Sequence, residues 1–302
     1  MKSIHIAAET LPEAFEKALV ECWNHGDEIK TQYDRSDDLP SKDCTMMICV
    51  ADPLKEPKFS RILPMGLDDL EKYFLEVTEG VHDYYMDDVT NPNRWHYTYY
   101  SRLFKYKVPC NCFSVAGDQL CPRCGSKFYI EINQIAKCIE MLKQCGHTRR
   151  AQAITWCPWI DMDIADPPCL QSLSFRVQNY SGAFKLNMIV RFRSNDLYKA
   201  YPSNAIALVG IQEIVAKAIG LPVGSYTHIS DSMHLYGSYF KEIEGCLNTI
   251  KHRRFEDRVW TTKECVPFFI EGCNQLLNET NMPNDKKNLV VARRTYLENN
   301  FL

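Results

Sequence analysis

Between Ala205 and Ile219 the chain reads AIALVGIQEIVAKAI, apolar on nearly every side that a helix would present. Such a helix is enclosed by other elements and does not lie on a surface. Gly220 and Pro222 follow as ordinary helix-ending residues. No run approaches the roughly 20 apolar residues of a membrane span, so the protein itself must supply the enclosure. The 302 residues suffice for one large domain or two moderate ones. With 45% hydrophobic and 24% charged residues, the chain has the balance of a globular protein with a sizeable core. We see no repeat, low-complexity tract or linker, and expect a single α+β domain over residues 1–302 with a small cysteine-rich insert at 107–128.

Elements to surround that helix can be read on either side of it. Pro12 to Cys22 (PEAFEKALVEC) has helical apolar spacing after Thr10, an N-cap residue type. Asp68 to Thr78 reads as a helix with acidic residues in its first turn, which suits the macrodipole. Glu131 to Gln144 places Ile132, Ile135, Ile139 and Leu142 on one helical face. Thr45–Val50 and Ala151–Trp156 are strand-like, Asp27–Lys42 is polar and loop-like, and Tyr84–Tyr106 is crowded with aromatics. The net charge of −3 argues against general nucleic-acid or anionic-membrane binding. The first residues lack the apolar core of a signal peptide, and fourteen cysteines are scattered through core-like segments. Both point to a reducing, cytoplasmic setting.

The stretch leading into the buried run carries the chemistry. It begins Pro167-Pro168-Cys169-Leu170, continues extended to a turn at Tyr180-Ser181-Gly182, and returns to Arg191-Phe192-Arg193-Ser194-Asn195-Asp196. Two prolines hold Cys169 at a stiff corner, and the hairpin-like return brings Arg193 within reach of it. A thiol beside guanidiniums suggests a nucleophile next to an anion site, with the thiolate favoured. Arg35, Arg149 and Arg150 occupy loop-edge positions, and several guanidiniums together suit a phosphate dianion. Singly, each of these residues also has an ordinary reading as an inert cysteine or a surface ion-pair partner.

In order and content, these pieces resemble the thymidylate synthase and pyrimidine-nucleotide hydroxymethylase family. Asp34-Arg35-Ser36 is similar to its phosphate loop, and Ile135–Leu142 with Arg149-Arg150 to its helix and paired arginine. Pro168-Cys169 resembles its nucleophile corner, Arg193-Ser194-Asn195-Asp196 its Arg-Ser-x-Asp, Pro202-Ser203-Asn204 its Pro-x-Asn, and His234-Leu235-Tyr236 its His-x-Tyr. The resemblance implies an α+β fold with a large mixed sheet and flanking helices. It further implies a homodimer acting on a pyrimidine nucleoside monophosphate with 5,10-methylenetetrahydrofolate. In that scheme Cys169 adds to C6 of the ring, and Arg35, Arg193 and Ser194 hold the 5′-phosphate. Arg149 and Arg150 reach the partner's phosphate, and His234 and Tyr236 hold the sugar. Asn204 reads the base, Asp196 faces the folate, and Glu71 stands nearest to the catalytic glutamate.

The chain also departs from that pattern. Leu170 replaces the histidine after the nucleophile, and Phe192 the glutamine before Arg-Ser. Tyr84 and Tyr85 stand where a tryptophan is expected, and Arg293–Leu302 does not match the family's closing segment. The missing water-excluding parts lean toward a hydroxymethyl product. A true thymidylate synthase and a non-catalytic nucleotide-binding homologue stay open beside it, and the substrate base and sugar are not settled. Asn204 is compatible with uracil. Separately, Cys110, Cys112, Cys121 and Cys124 place four thiols in a short polar segment, which suits a structural tetrahedral zinc or a loop of reduced cysteines.

Overall fold

The computed structural model describes residues 1–87, 94–109 and 129–301. It opens with β1 (Ser3–Ala8), α1 (Leu11–His25), a short β2 (Asp27–Ile29) and a long β3 (Ser41–Val50). Next come β4 (Phe59–Ser60), α2 (Leu67–Glu79), α3 (Tyr99–Phe104) and the antiparallel pair β5 (Tyr106–Pro109) and β6 (Tyr129–Ile132). Then α4 (Gln134–Gln144), β7 (Gln152–Ile154) and the one-turn α5 (Pro158–Asp161) lead into the hairpin β8 (Leu170–Tyr180) and β9 (Ala183–Phe192). The chain continues through β10 (Asn195–Asp196), α6 (Tyr201–Ile219), β11 (Val223–Leu235) and α7 (Phe240–His252). It closes with β12 (Val259–Trp260), α8 (Thr262–Leu277) and α9 (Asn284–Phe301).

One large mixed sheet organises these elements, in the order β1-β3-β11-β9-β8-β7, with β2 beside β3 and β10 beside β11. β1 runs parallel to β3, and β9 and β10 parallel to β11, while the other neighbours are antiparallel. The pleat sends alternate residues to one face, where Met46, Ile48, Phe175, Met188, Val190 and Tyr226 are fully buried. Burying each such side chain stabilises the fold by about 1.5–3 kcal/mol. The hairpin turn Ser181-Gly182 has positive φ at both residues (52° and 98°), the two-residue turn that matches strand twist.

Helix α6 is enclosed between this face and helices α1, α2 and α4, as its sequence requires. It begins at Tyr201, earlier than the apolar run, because Pro202 is tolerated in the first turn, and it ends at Gly220 in the left-handed region. Where α6 crosses α2, a Cβ added at Gly210 would lie 2.5 Å from the Phe74 ring, so the crossing needs glycine. A second apolar cluster joins α2 to α8 and α9 through Leu70, Leu75, Phe269, Leu276, Val290 and Leu297.

Two expectations are corrected. The helix placed over Glu131–Gln144 starts at Gln134, since Asn133 caps it and Glu131 and Ile132 belong to β6. The stretch Asp27–Lys42 is not all loop, because β2 takes Asp27–Ile29 and β3 starts at Ser41, both in the large sheet. Cys110, Cys112, Cys121 and Cys124 lie outside the described residues. Among those described, no group of three or more histidine, cysteine or acidic residues could hold a metal, and no helix is long and apolar enough to cross a membrane.

Candidate active site

Cys169 sits at the entry to β8, half-buried, with Arg193 folded back onto it from the end of β9. The Arg193 backbone N–H donates to the Cys169 carbonyl at 2.8 Å. Its guanidinium donates to the carbonyls of Pro168 (Nε, 3.1 Å) and Pro167 (Nη2, 2.6 Å). One arginine thereby clamps the two-proline corner, which the prolines alone cannot close by hydrogen bonding because they lack N–H groups. Burial pushes the Cys169 thiol up; Arg193 pulls against it, and the Asp166 carboxylate adds to the rise. The thiolate expected from the company of arginines is therefore not favoured in the chain alone, because desolvation outweighs the single guanidinium that reaches it.

Asn204 enters from the first turn of α6. Its Oδ1 accepts from the Tyr73 hydroxyl of α2 at 2.5 Å, and its Nδ2 donates to Asn195 Oδ1 at 3.2 Å. Tyr73, Tyr97 and Tyr99 lie close enough to Cys169 for a thiolate there to raise their own pKa values, which burial has already raised. The Tyr99 hydroxyl accepts from the Leu170 backbone N–H at 3.3 Å. Sequence reasoning missed this tyrosine wall, although the aromatic crowding of Tyr84–Tyr106 signalled it.

The opposite side is built by β10 and β11, where Asp196 and His234 are register partners. Asp196 Oδ1 accepts from the backbone N–H groups of Tyr198 and Lys199, both at 2.9 Å. Burial lowers the His234 pKa against the pull of Asp196, and His234 Nε2 is buried with no hydrogen-bond partner among the described residues. Tyr236 follows, its hydroxyl pushed up to about 12 by burial and then by Asp196, Tyr33 and Cys169. Tyr33 packs edge-on against the Tyr236 ring at 6.3 Å, which brings the Asp34-Arg35-Ser36 loop beside Tyr236. Just after Tyr236, an added Cβ at Gly237 would lie 1.9 Å from the Leu39 carbonyl oxygen, so the close approach of the chain there needs glycine.

The thymidylate synthase family model matches residues 95–262. The chain belongs to the thymidylate synthase family. It is 32% identical over 226 residues to a putative thymidylate synthase of Methanocaldococcus jannaschii, covering 63% of this chain and 91% of the relative. A putative thymidylate synthase of Methanococcoides burtonii is 26% identical over 250 residues, 82% of this chain and 95% of that one. The fold is shared with the thermostable thymidylate synthase A of Bacillus subtilis, at TM-score 0.55 and 18% identity over 79% of this chain and 84% of that chain.

Four of the assigned side chains, Glu71, Arg35, Arg149 and Arg150, stand apart from Cys169 within the chain. Glu71 is not at the site: it is buried in the second apolar cluster, where Arg293 of α9 donates to it from Nε (2.6 Å) and Nη2 (3.1 Å). Residues two apart on a helix face away from one another, so Glu71 cannot share the Tyr73 face. The carboxylate on that face is Glu76, three residues after Tyr73, whose charge acts on the Tyr73 hydroxyl and which holds His82 Nδ1 at 2.9 Å. Arg35, Arg149 and Arg150 are exposed, and none of them reaches Cys169 within the chain. Ser194 lies half-buried beside Arg193. Both departures inside the stretch are core residues: Leu170 is fully buried, and Phe192 stacks on His228 with centroids 4.6 Å apart.

Proposed function

We propose that the protein transfers a one-carbon unit from 5,10-methylenetetrahydrofolate to C5 of a uracil nucleoside monophosphate. The gathering of Cys169, Arg193, Asn204, His234 and Tyr236 around the Cys169 corner, in the family's motif order, carries this reading. Arg193, with Ser194 and Arg35, binds the phosphate; His234 Nε2 and Tyr236 meet the sugar; Asn204 reads the base. Cys169 adds through sulfur to C6, which places electron density on C5. A phosphate dianion drawing Arg193 from the proline carbonyls, and a proton acceptor for the thiol, are what the addition requires. Glu76, behind Tyr73, is the carboxylate placed to handle protons on that side. Folate, when bound, supplies the one-carbon unit; Asp196 fits its N–H edge, since Oδ2 takes no hydrogen bond among the described residues. Loss of the C5 proton and expulsion of Cys169 would restore the ring, with the bond from the transferred carbon to the folate nitrogen broken and a hydride from the same folate completing the methyl group, so that dihydrofolate leaves. With water in place of the hydride, the product is hydroxymethyl and tetrahydrofolate leaves.

The relatives bear the name thymidylate synthase, which supports the methyl product, dTMP from dUMP, over the hydroxymethyl product that the departures suggested. The hydroxymethyl reading keeps one support: Tyr84 and Tyr85 stand where a tryptophan is expected and Arg293–Leu302 does not match the family's closing segment, so parts that exclude water in that pattern are missing. Tritium release from [5-³H]-dUMP with methylenetetrahydrofolate, followed by product mass, tests both. Release that vanishes in Cys169→Ala, with a methyl product and dihydrofolate, is expected. No release from any pyrimidine nucleotide would overturn the enzyme reading, and a hydroxymethyl product would restore the second one. Arg149 and Arg150 are assigned, in the same proposal, to the phosphate of a second copy of the chain.

A further inference from the structure

Asn204 is the first member of a buried line of hydrogen bonds that runs from the site into the sheet. Tyr73 donates to Asn204 Oδ1, and Asn204 Nδ2 donates to Asn195 Oδ1. Asn195 Nδ2 then meets His228 Nε2 at 3.1 Å, and His228 Nδ1 meets the Tyr226 hydroxyl at 2.9 Å. Neither His228 nor Tyr226 has any exposed surface, and Asn195 is 3% and Asn204 6% exposed. Phe192 stacks on the imidazole and Tyr201 meets it edge-on at 4.9 Å, so its ring neighbours are uncharged. Burial holds the His228 pKa down at about 3, and the ring is neutral.

A neutral imidazole has one N–H and one acceptor nitrogen. With Nε2 accepting from Asn195, the proton is on Nδ1 and is donated to Tyr226. Every bond in the line then points the same way, from Tyr73 to Tyr226. Turning the Asn204 amide over would put two N–H groups, or two lone pairs, face to face at Asn195. Relief would require turning Asn195 as well, moving the His228 proton to Nε2 and making the Tyr226 hydroxyl the donor, all three within buried groups.

The direction matters for the base. Uracil offers a donor at N3 and an acceptor at O4; cytosine offers an acceptor at N3 and a donor at N4. An amide free to turn over accommodates both edges, whereas an amide held in one sense complements one and opposes the other. We propose that His228 is a specificity-determining positioning residue, whose buried tautomer fixes the sense of the Asn204 amide so that the site takes uracil nucleotides and rejects cytosine nucleotides. This rests on the nucleotide-binding reading above and adds to it a residue of β11 that the nucleotide never touches.

The test is equilibrium binding of dUMP and of dCMP, by calorimetry without folate, to the full chain and two variants. The wild type should bind dUMP tightly and dCMP roughly a hundredfold or more weakly, since the wrong edge leaves buried polar groups unpaired. His228→Phe keeps a ring on Phe192 but frees the line, and should cut the preference about tenfold or more, chiefly by tightening dCMP. Tyr226→Phe removes the acceptor for the Nδ1 proton, favours the Nε2 tautomer, and should move the preference toward dCMP while dUMP binding weakens. If both variants bind both nucleotides more weakly by the same factor, the ratio is unmoved and His228 is only a packing residue, which overturns the inference. Should His228→Phe fail to fold, Tyr226→Phe, which loses a single oxygen, decides alone. Wild type that binds neither nucleotide would overturn the proposed function, and this inference with it.

Discussion

At Cys169, desolvation and the Asp166 carboxylate raise the thiol pKa, and among the described residues only Arg193 opposes them. The thiolate fraction at neutral pH is therefore smaller than for an exposed cysteine, whose pKa is about 8.5. Alkylation of Cys169 by iodoacetamide, followed by peptide mass mapping, should accelerate with pH and still be rising beyond pH ~8.5. Arg193→Gln should shift that profile further up, because it removes the one charge that favours the thiolate. A plateau already reached near pH 7 would contradict this account. His234 offers a second residue-level expectation. Its pKa is lowered by burial, so the ring is neutral through pH 7 and gains a proton only on acidification below the ordinary value of about 6.5. Its unpartnered Nε2 should be satisfied by the nucleotide. His234→Ala should weaken dUMP binding about tenfold, with the rate of tritium release at saturating dUMP nearly unchanged. Equal losses in both measurements would place His234 in the chemical step instead.

Helix α2 divides two tasks between its faces. Tyr73 reaches Asn204, with the Glu76 charge acting on its hydroxyl, whereas Glu71 anchors Arg293 of α9, with the Glu71 side chain 3% and the Arg293 side chain 25% exposed. Glu71→Gln leaves a guanidinium mostly buried without its counter-charge, and should cost about 3 kcal/mol in urea unfolding while leaving tritium release per folded molecule intact. Glu76→Gln should do the reverse, lowering the release rate roughly a hundredfold with the smaller stability loss of a weakened His82 contact. If Glu71→Gln alone abolished release in folded protein, the division would be wrong. These faces also show what the sequence could and could not disclose. Cys169 through Asn204 was readable because the nucleophile corner, the Arg-Ser-Asn-Asp return and the start of α6 are close in the chain. Choosing between Glu71 and Glu76 needed the phase of a helix against a distant α6, and apolar spacing does not fix that phase to one residue. Tyr97, Tyr99 and His228 reach the site only through tertiary packing. For α8 the signal was present in the Thr261–Glu264 capping box and the spacing of Cys265, Phe269, Cys273 and Leu276, whereas α9 buries too few side chains to announce itself.

On the scale of the whole molecule, the large sheet is covered on one face by α1, α4 and α6. The alternate residues of its central strands, Met47, Cys49, Ile189, Thr227 and Ile229 among them, are half-buried or exposed among the described residues. A mixed sheet with apolar residues on both faces is stable when both are covered, and a second copy of the chain is the cover that symmetry makes available. Exposed Arg149 and Arg150 then gain a purpose, since neither reaches Cys169 in its own chain and both would be free to reach the phosphate bound by the other. Mixing two inactive variants distinguishes this arrangement from an isolated subunit. One carries Cys169→Ala with intact arginines; the other carries Arg149→Glu and Arg150→Glu with an intact thiol. After unfolding and refolding together, half the dimers are mixed, and each contains one site with an intact thiol and intact arginines from its neighbour. Tritium release should recover to about a quarter of wild type at equal mixing, and sedimentation should show a dimer. If each parent variant is inactive alone and the mixture stays inactive while sedimenting as a dimer, the arginines serve their own subunit, and the shared site is ruled out even though the sheet face is covered.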